Sequence, residues 1–489
     1  MRRILPILHT LGFVMVLFAG TMVFPLAVAI WTSDAALDAF VDGFLIALGM
    51  GLAMWLGTWR FRTELRPRDG FLLVSLVWAV LPALATVPLL IYFHRAGVPL
   101  SFADAYFESM SGLTTTGATV LTGLEYLPKS INIWRTTLIW VGGMGILVMA
   151  VAILPLLGVG GHQVFRAETP GPMKDDRLTP RIAGTAKALY AVYVGLSLLC
   201  LLAYRAVGLS WFDAWAHMST TMGLGGFSTY DAGFVVFDSV AVEIVAMVFM
   251  LIAGINFATH FNAARQRSLR PYGRCPEAIP YLVVVIVGAL GVSAYLYWRG
   301  VYPDALQALR FGVFNTISVA TTTGYANTDY AQWPLFAPMV MLALAAFSTS
   351  AGSTGGGIKM IRAVILVKQA RHEMVSMLHP HAVTPVRLGG RIVSPRVLVS
   401  VLVFLMVYVL LLAIITCLLL LSGLDPVTSM SAALASLTNT GPGLGPVGPM
   451  GNFAVLTDFQ TWVCTFAMLI GRLELFTVLI LFTPGFWRK

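Results

Sequence analysis

The sequence has 489 residues, of which 58% are hydrophobic and only 11% are charged, whereas a soluble domain is usually about 25% charged. This composition excludes an ordinary soluble protein and favours a chain that lies largely within a lipid bilayer. A formal net charge of +9 would suit nucleic-acid binding, but the basic residues lie in short connections between apolar runs. That distribution is typical of the cytoplasmic loops of membrane proteins.

Two apolar runs begin the chain, at about residues 5–31 and 40–59, and the basic hinge Arg60 to Asp69 follows them. The first run has the basic start of a signal peptide, but it is long and lacks a convincing small-residue cleavage site, so we predict a retained span. Further basic clusters occupy 166–187, 265–274 and 359–396, whereas the alternate connections are acidic. The positive-inside rule then predicts that both termini are cytoplasmic and that the number of spans is even.

After the hinge, one pattern recurs four times: a long apolar run, a half-polar segment, a Thr/Ser/Gly cluster, an acidic stretch and a second apolar run. Two spans and a loop cannot enclose a pathway alone, whereas four such units can. We predict an all-α polytopic membrane protein with ten spans, in which two N-terminal spans precede four pseudo-repeated span–pore helix–span units around one central pore. The paired runs are 71–93 with 132–157, 184–206 with 237–259, 278–298 with 335–370, and 397–421 with 459–482.

The predicted segments follow these runs. They are 1–69 for the two N-terminal spans and the hinge, 70–160 for pore repeat one, 161–264 for repeat two, 265–372 for repeat three with a broken second span, and 373–489 for repeat four.

The four polar clusters align on one glycine each, namely Gly117, Gly226, Gly324 and Gly441. Asp104 and Asp213 lie thirteen residues before the first two of these glycines. The segments between, such as 105–113 and 214–222, are too short to span a bilayer but long enough for two or three helical turns. We therefore expect each to be a half-helix that enters the membrane and returns.

Non-helical backbone at membrane depth is tolerated only where it is buried in protein or lines a wet cavity. Glycine lets successive carbonyl groups turn toward one axis, and rings of carbonyl oxygens can replace the water around a potassium ion. Half-helices that direct their C-terminal ends at such a ring also favour a cation. External carboxylates such as Glu108 and Glu125 would concentrate cations at the mouth. The alternative, close helix packing through small residues, would account for one cluster more easily than four.

Two polar features interrupt the later apolar runs. Residues 348–357 read Ser-Thr-Ser-Ala-Gly-Ser-Thr-Gly-Gly-Gly, which no stable lipid-facing helix should contain. A packing kink would account for this break, and a phosphate-binding loop is excluded because the lysine comes one place late. Arg472 lies within the last apolar run, where a cation usually faces protein, water or a carboxylate. We expect it to face the pore, with pairing to Glu474 or to helix carbonyls as the alternative.

One histidine-rich stretch, formed by His372, His379, His381 and Glu373, resembles a metal cluster, but no histidine pair has the His-Glu-x-x-His spacing. We interpret it as a solvated cytoplasmic loop.

These motifs together resemble those of the Trk/Ktr/HKT superfamily of potassium transporters, and most of all its bacterial TrkH/TrkG branch. The resemblance covers nearly the whole length, and the two extra N-terminal spans favour that branch. Its motifs are Thr-Thr-Gly-Ala-Thr at 115–119, Gly-Gly-Phe-Ser-Thr at 225–229, Thr-Thr-Gly-Tyr-Ala-Asn-Thr-Asp at 322–329, Ser-Ala-Gly-Ser-Thr-Gly-Gly-Gly-Ile-Lys at 350–359 and Gly-Arg-Leu-Glu at 471–474.

The resemblance implies a pseudo-fourfold pore in each subunit, a homodimer, and a cytosolic TrkA-like nucleotide-binding subunit that controls opening. It also implies that 348–357 is a gating loop below the filter and that Arg472 restricts conduction beside it. In plant relatives a serine at the first filter glycine accompanies sodium transport, so Gly117 favours potassium. The sequence departs from the pattern in the second copy, where Met222-Gly-Leu precedes the glycines, and in the fourth, where Pro442 follows. Selectivity is therefore expected to be weaker than in a symmetric filter.

Carried over position by position, the resemblance predicts two sets of residues. The cation filter, where K⁺ would bind, comprises Thr115, Thr116, Gly117, Ala118, Gly225, Gly226, Phe227, Thr322, Thr323, Gly324, Tyr325, Asn439, Thr440, Gly441 and Pro442. The gate comprises Gly352, Ser353, Thr354, Gly355, Gly356, Gly357, Lys359 and Arg472.

The predicted function is potassium uptake across the bacterial inner membrane by channel-like permeation, gated from the cytosol. No covalently bound cofactor and no nucleic-acid partner are expected. Enzymatic activity is not expected either, because the polar residues concentrated here are hydroxyls and glycines without a catalytic set. Potassium–proton or potassium–sodium symport by the same fold is the nearest alternative. A polytopic membrane enzyme is a remote one.

Overall fold

The structure, a computed structural model, describes residues 4–61, 63, 65–152, 178–381 and 384–488. The predicted boundary between 160 and 161, and much of the basic cluster 166–187, lie outside these residues. Helices account for most of what is described, as predicted. A two-stranded hairpin, Arg387–Leu388 with Arg391–Ile392, is the exception to an all-α chain in the described part.

Three helices form the N-terminal pair of predicted spans. Small residues let the outer two approach closely, because a Cβ atom added to Gly12 would lie 2.6 Å from the Trp55 nitrogen, and one added to Gly51 would lie 2.9 Å from the Val16 nitrogen. The helices are α1 (Ile4–Thr21), α2 (Val23–Thr32) and α3 (Leu37–Gly57).

Four groups of helices follow, each with a long first helix, a short helix and a second helix. The first helices are α4 (Pro67–Arg95), α7 (Leu178–Ala206), α12 (Ala278–Trp298) and α16 (Pro395–Leu421). The short ones, named pore helices one to four, are α5 (Phe102–Leu113), α8 (Trp211–Gly223), α13 (Ala305–Ala320) and α17 (Pro426–Thr438). The second helices are α6 (Lys129–Ala152), α9 (Val240–Ala253), α14 (Phe336–Phe347) and α18 (Asp458–Arg472).

The pore helices begin at side-chain caps, and the shared aspartates take part through their carboxylates, because Ser101 donates to Asp104 over 2.9 Å and Ser210 donates to Asp213 over 2.6 Å. The hydroxyl of Ser101 accepts a hydrogen bond from the Asp104 N–H over 3.0 Å, and Ser210 accepts one from the Asp213 N–H over 3.0 Å. Asp304 and Asp425 cap the third and fourth pore helices directly. Side-chain oxygens at this position satisfy amide groups that have no partner within the helix.

Within the described ranges, three of the four second helices are interrupted. After α14, the chain is irregular until α15 (Met360–Leu378), and this gap contains the predicted interruption 348–357. The chain also bends by 94° between α9 and α10 (Phe257–Gln266), and by 107° between α18 and the segment from Phe476 to Phe482, which starts with α19 (Phe476–Leu479). The apolar runs predicted as spans at 237–259 and 459–482 therefore each end in a bent pair of helices rather than in one continuous helix.

The bends have local backbone causes. At the first, the Asn256 side chain caps α10 by accepting a hydrogen bond from the Ala258 N–H over 2.8 Å. At the second, Glu474 and Leu475 have φ angles of +55° and +54°, which no continuous helix allows.

Six described helices are long and apolar enough to cross a membrane, or up to eight spans if each bent pair counts as one. The count of ten and the pseudo-repeated arrangement stay predictions. Two further short α-helices are α11 (Arg270–Arg274) and α20 (Pro484–Trp487), and 3₁₀ turns such as Leu124–Tyr126 and Gly233–Phe237 lie in the connections.

Candidate cation pathway

The four aligned glycines lie in one closed ring of backbone contacts. A Cβ atom added to Gly117 would come within 3.0 Å of the Gly225 carbonyl carbon, and one on Gly226 would lie 2.6 Å from the Thr323 oxygen. One on Gly324 would collide with the Thr440 oxygen, and one on Gly441 would lie 2.7 Å from the Thr116 oxygen. Each strand thus touches the next, and the fourth returns to the first.

The backbone explains why glycine is needed at three of these positions. Gly117, Gly324 and Gly441 have φ angles of +81°, +87° and +98°, where side chains are strained. Gly226 does not share this conformation, because its φ angle is not positive. Its glycine is required by the close approach of strand three rather than by its own backbone angles. The four copies therefore share a position but not one geometry.

The residue two places before each glycine turns the chain out of the pore helix. Thr115, Leu224, Thr322 and Asn439 have φ angles of +53°, +54°, +60° and +55°. Such single left-handed residues end helices and redirect their last carbonyl groups. All four pore helices thus stop immediately before the ring, with their C-terminal ends beside it.

Paired threonine hydroxyls connect the end of the pore helix to the strand in three of the four copies. The Oγ1 atoms are 2.8 Å apart in Thr114 and Thr116, 2.8 Å apart in Thr321 and Thr323, and 2.7 Å apart in Thr438 and Thr440. The fourth copy, whose neighbouring residues looked unlike the first and third in sequence, therefore shares their side-chain brace. We name each of these pairs a hydroxyl clip.

The second copy replaces the hydroxyl clip with a tyrosine from the third strand. The Tyr325 hydroxyl contacts the hydroxyl of Thr220 and lies 3.1 Å from that of Thr221, and it donates to the His217 carbonyl oxygen over 3.1 Å. Asn439 links the fourth strand to the first, donating to the Thr116 hydroxyl over 3.0 Å. The predicted filter residues are thus brought together in one layer.

A small cavity of about 80 Å³ opens above the ring and is lined by Gly117, Gly226, Gly324, Arg135 and Asp231 among others. Arg135 was missed from the sequence, because one arginine near the start of a long apolar run gives no signal of what it contacts. Its Nη1 donates to the Ser228 carbonyl oxygen over 3.1 Å, and its guanidinium lies 4.4 Å from the centre of the Phe227 ring. Arg135 therefore connects α6 to the second strand of the ring.

Glu108 does not lie at the mouth as a free carboxylate, and that expectation is wrong. Its side chain is 1% exposed and pairs with Arg135 over 2.7 Å, while it also accepts hydrogen bonds from the Thr119 hydroxyl and the Val120 N–H. The pore helix is surrounded by its own protein, so a polar residue on its inner face points at the returning strand. Glu125, by contrast, is exposed.

The same position on the next two pore helices also holds the returning strand. Nine residues before the ring glycine lie Glu108, His217 and Asn315, while the fourth copy has Ala432. The His217 Nε2 lies 3.1 Å from the Ser228 hydroxyl, and Asn315 donates to the Asn327 side chain over 2.6 Å. Three different polar groups thus perform one structural task.

Residues 348–359, named here the gating segment after their predicted role, lie directly below the ring. The Thr354 hydroxyl donates to the Met222 carbonyl oxygen over 2.9 Å, and the Gly356 N–H donates to the Thr322 hydroxyl over 2.9 Å. A Cβ atom on Gly356 would collide with the Thr438 carbonyl oxygen. The segment thus touches the ends of pore helices two, three and four.

Arg472 contacts this segment. It is 3% exposed, and its Nη1 donates to the Thr354 carbonyl oxygen over 2.8 Å. Its Nε and Nη2 have no hydrogen-bond partner among the described residues. Glu474 pairs instead with Arg362 over 2.6 Å, so the alternative of an Arg472–Glu474 pair is wrong. The Lys359 ammonium donates to the Gly355 carbonyl oxygen, which places every predicted gate residue in one layer.

The histidine-rich stretch shows no metal site within the part of the chain that is described, where no cluster of three or more His, Cys, Asp or Glu residues could hold a metal ion. His372 instead lies 2.9 Å from the Thr384 hydroxyl.

Known proteins resemble this chain over its whole length. A family model described as TrkH, cation transport protein, matches residues 36–282 and 300–489. The Trk system potassium uptake protein TrkH of Halomonas elongata is 43% identical over 99% of both chains, and that of Escherichia coli K12 is 42% identical over 99% of both. The crystal structure of the potassium transporter TrkH from Vibrio parahaemolyticus covers 99% of this chain and 100% of its own, with a TM-score of 0.92 and 40% identity.

Proposed function

This chain belongs to the TrkH family of cation transport proteins, and from that premise we propose that it takes up potassium ions across the cytoplasmic membrane of a bacterium. Its relatives are transporters, so the prediction that it is an integral membrane protein and not an enzyme is confirmed. The single observation that carries the proposal is the closed ring of Gly117, Gly226, Gly324 and Gly441.

Permeation is channel-like in this proposal. A dehydrated potassium ion would be held by main-chain carbonyl oxygens of the four strands, which replace its water shell. The four pore helices end beside the ring and direct the negative ends of their dipoles at the ion. These groups are uncharged and fixed by the surrounding protein. Binding would therefore be favourable enough to replace the ion's water shell and weak enough to allow its release.

Symport with protons is the less favoured alternative. Proton-coupled transport usually relies on ionisable groups within the membrane that can change charge during the cycle. Among the described residues, the buried Glu108 and Glu243 and the partly buried Glu474 each pair with an arginine. The buried Glu277 accepts hydrogen bonds from two backbone N–H groups, and the buried Asp213 accepts one from the Thr229 hydroxyl. These contacts favour structural roles, and the downhill membrane potential would then drive uptake.

Opening is controlled below the ring in this proposal. The gating segment would move away from the pore helices when the hydrogen bond from Arg472 to Thr354 breaks, and its glycines lower the barrier to that rearrangement. A cytosolic TrkA-like nucleotide-binding subunit would drive the change, the protein would be a homodimer, and both termini would lie in the cytoplasm. The four pore repeats, 70–160, 161–264, 265–372 and 373–489, would surround the pathway.

The test is uptake of ⁸⁶Rb⁺ into proteoliposomes in the presence of competing K⁺ or Na⁺. We expect K⁺ to compete well and Na⁺ poorly in the parent, whereas Gly117→Ser admits Na⁺. Equal competition by the two ions in the parent would reject the potassium assignment. Measuring H⁺ and Na⁺ movement alongside Rb⁺ separates uncoupled permeation from symport, because only symport shows a fixed stoichiometry.

A further inference from the structure

Residues 254–277, named here the clasp, leave the membrane domain and return to it on the same gating segment. At the first end, the Ser350 N–H donates to the Gly254 carbonyl oxygen and the Phe257 N–H donates to the Gly352 carbonyl oxygen, both over 3.0 Å. At the second end, Glu277 Oε2 accepts hydrogen bonds from the Ala351 N–H over 2.7 Å and the Ile361 N–H over 3.2 Å. Both ends of the clasp therefore hold the gate.

Internal contacts make the clasp a connected unit rather than a loose loop. The His260 Nε2 lies 2.9 Å from the Ile252 carbonyl oxygen, and its Nδ1 lies 2.8 Å from the Tyr272 hydroxyl. Since a carbonyl only accepts, Nε2 carries the proton and Nδ1 accepts from the tyrosine. This ring joins α9, α10 and α11, so a displacement of the outer surface reaches both ends.

The outer surface of the clasp is basic. Arg265, Arg267, Arg270 and Arg274 are exposed, and none forms a salt bridge with another described residue. From residue 254 to residue 276 the sequence contains no Asp or Glu. Between the arginines, the Leu269 side chain is 80% exposed. Four guanidinium groups and one protruding apolar side chain thus share a short segment.

The orientation of α10 favours membrane lipid as the partner of this basic surface. The chain turns by 94° from α9 to α10, so with α9 crossing the bilayer, as the proposed function requires, α10 runs close to the membrane plane, where lipid headgroups lie. Guanidinium groups bind phosphate oxygens in a bidentate manner, and basic interfacial helices with an apolar anchor bind anionic membranes. We propose that the clasp binds anionic phospholipid headgroups through these four arginines, and that bound lipid holds the gating segment in its closed position.

The direction of the effect follows from the contacts, and it rests on the proposed function. In this structure the clasp holds Ser350, Ala351 and Gly352 on the same segment whose Thr354 contacts Arg472. Headgroups that fix the outer surface of the clasp oppose any motion of these residues. Anionic lipid therefore lowers ⁸⁶Rb⁺ flux through the protein alone, and removal of the arginine charges relieves that inhibition.

The experiment compares four versions of the full chain without a cytosolic partner. They are the parent, R265Q/R267Q/R270Q/R274Q, the charge-retaining R265K/R267K/R270K/R274K, and K368Q/R371Q/R387Q/R396Q, which removes four other basic residues that are exposed. Each is reconstituted in phosphatidylcholine alone and with about one third phosphatidylglycerol. Unfolding midpoints in detergent with either added lipid provide a readout of binding that does not depend on transport.

We expect phosphatidylglycerol to lower flux in the parent about fivefold, the lower end of typical coupling between two sites. The lysine variant and the K368Q/R371Q/R387Q/R396Q control should keep this response and the lipid-induced rise in unfolding midpoint, whereas the glutamine variant at 265–274 loses both. Equal flux in both lipids for the parent would overturn the inference and leave the proposed transport intact. An effect of the arginines seen only after a cytosolic regulatory subunit is added would also overturn it, because a protein would then occupy the surface. Absence of Rb⁺ flux from every preparation would reject the proposed function and this inference with it.

Discussion

The ring of glycines and the layer below it are built from different kinds of contact. In the ring, neighbouring strands touch through main-chain atoms, and neutral hydroxyl clips such as Thr438 with Thr440 brace them. In the layer below, three interrupted helices meet, and charged side chains hold them: Arg472 on Thr354, Arg362 on Glu474, and Glu277 on the gating segment.

That difference indicates which layer resists conformational rearrangement. Main-chain contacts in a closed ring cannot shift one at a time, because each strand is packed against the next. Side-chain hydrogen bonds to a glycine-rich segment can break singly, and each costs little net free energy. The upper layer therefore suits ion selection and the lower layer suits switching.

In the upper layer, Glu108 and Arg135 form a buried ion pair, although the contacts of the ring itself are neutral. This pair therefore tests the comparison between the two layers. Both side chains are 1% exposed. Glu108→Gln leaves the buried Arg135 charge without its partner, so we expect a loss of about 3–5 kcal/mol in the free energy of unfolding. Denaturant titration in detergent measures this loss.

The exposed pair of Arg95 and Asp42, whose side chains are 49% and 43% exposed, is the control. Arg95→Gln should cost less than about 1 kcal/mol. The double variant Glu108→Gln/Arg135→Met should recover part of the lost stability with selectivity close to the parent. If it restores stability but abolishes discrimination between K⁺ and Na⁺, charge takes part in selection and the comparison fails.

Gly324→Ala disrupts the contact between the third and fourth strands of the ring. The new methyl group would collide with the Thr440 carbonyl oxygen and lie 2.7 Å from Pro442 Cδ, at a φ of +87°. Backbone strain of about 1–2 kcal/mol and overpacking of about 1–3 kcal/mol predict a fall in ⁸⁶Rb⁺ flux of about 100-fold. Gly195→Ala is the matched control, because no atom lies within 4 Å of its added Cβ. Equal flux in the two variants would contradict the ring.

The four repeated glycines and the polar break at 348–357 could be predicted from the sequence. The four aligned glycines meet in one ring, and residues 348–357 fall in a gap between two helices beside Arg472. Irregular backbone at membrane depth is costly unless it is buried in protein or lines a wet cavity, so a polar, glycine-rich break in an apolar run is informative by composition alone.

The features that depend on distant partners, or that lie within a uniform apolar run, were not predicted. The bend after α9 lies in a continuous apolar run, where only the capping residue Asn256 marked a new helix start. Glu108 looked like an external carboxylate because its partner Arg135 comes 27 residues later. The fourth hydroxyl clip, by contrast, is local and could have been predicted, because Thr438 precedes Gly441 by three residues, as Thr114 and Thr321 precede their glycines.

Arg472→Ala tests the switching layer. Removing the hydrogen bond to the Thr354 carbonyl oxygen frees the gating segment, and a hydrogen bond from a charged group contributes about 1.5–3 kcal/mol, so we expect ⁸⁶Rb⁺ flux to rise about tenfold. Preference for K⁺ over Na⁺ should stay unchanged, because the ring is intact. Unchanged or lower flux at equal expression would show that Arg472 does not hold the segment closed.

Thr438→Val is the smallest change and the sharpest test of whether the fourth strand belongs with the first and third. Valine keeps the shape but removes the hydroxyl that lies 2.7 Å from Thr440 and donates to the Leu434 carbonyl oxygen. Of these two contacts, only the one with Thr440 reaches the strand, and its loss, about 1 kcal/mol, predicts a fall of about fivefold in the preference for K⁺ over Na⁺. Thr10→Val removes the same kind of contact, to the Pro6 carbonyl oxygen, in the N-terminal pair of helices, and should leave that preference unchanged. If Thr438→Val also leaves it unchanged while Thr321→Val lowers it, the fourth hydroxyl clip is only structural. The strands that select the ion are then fewer than the strands that close the ring.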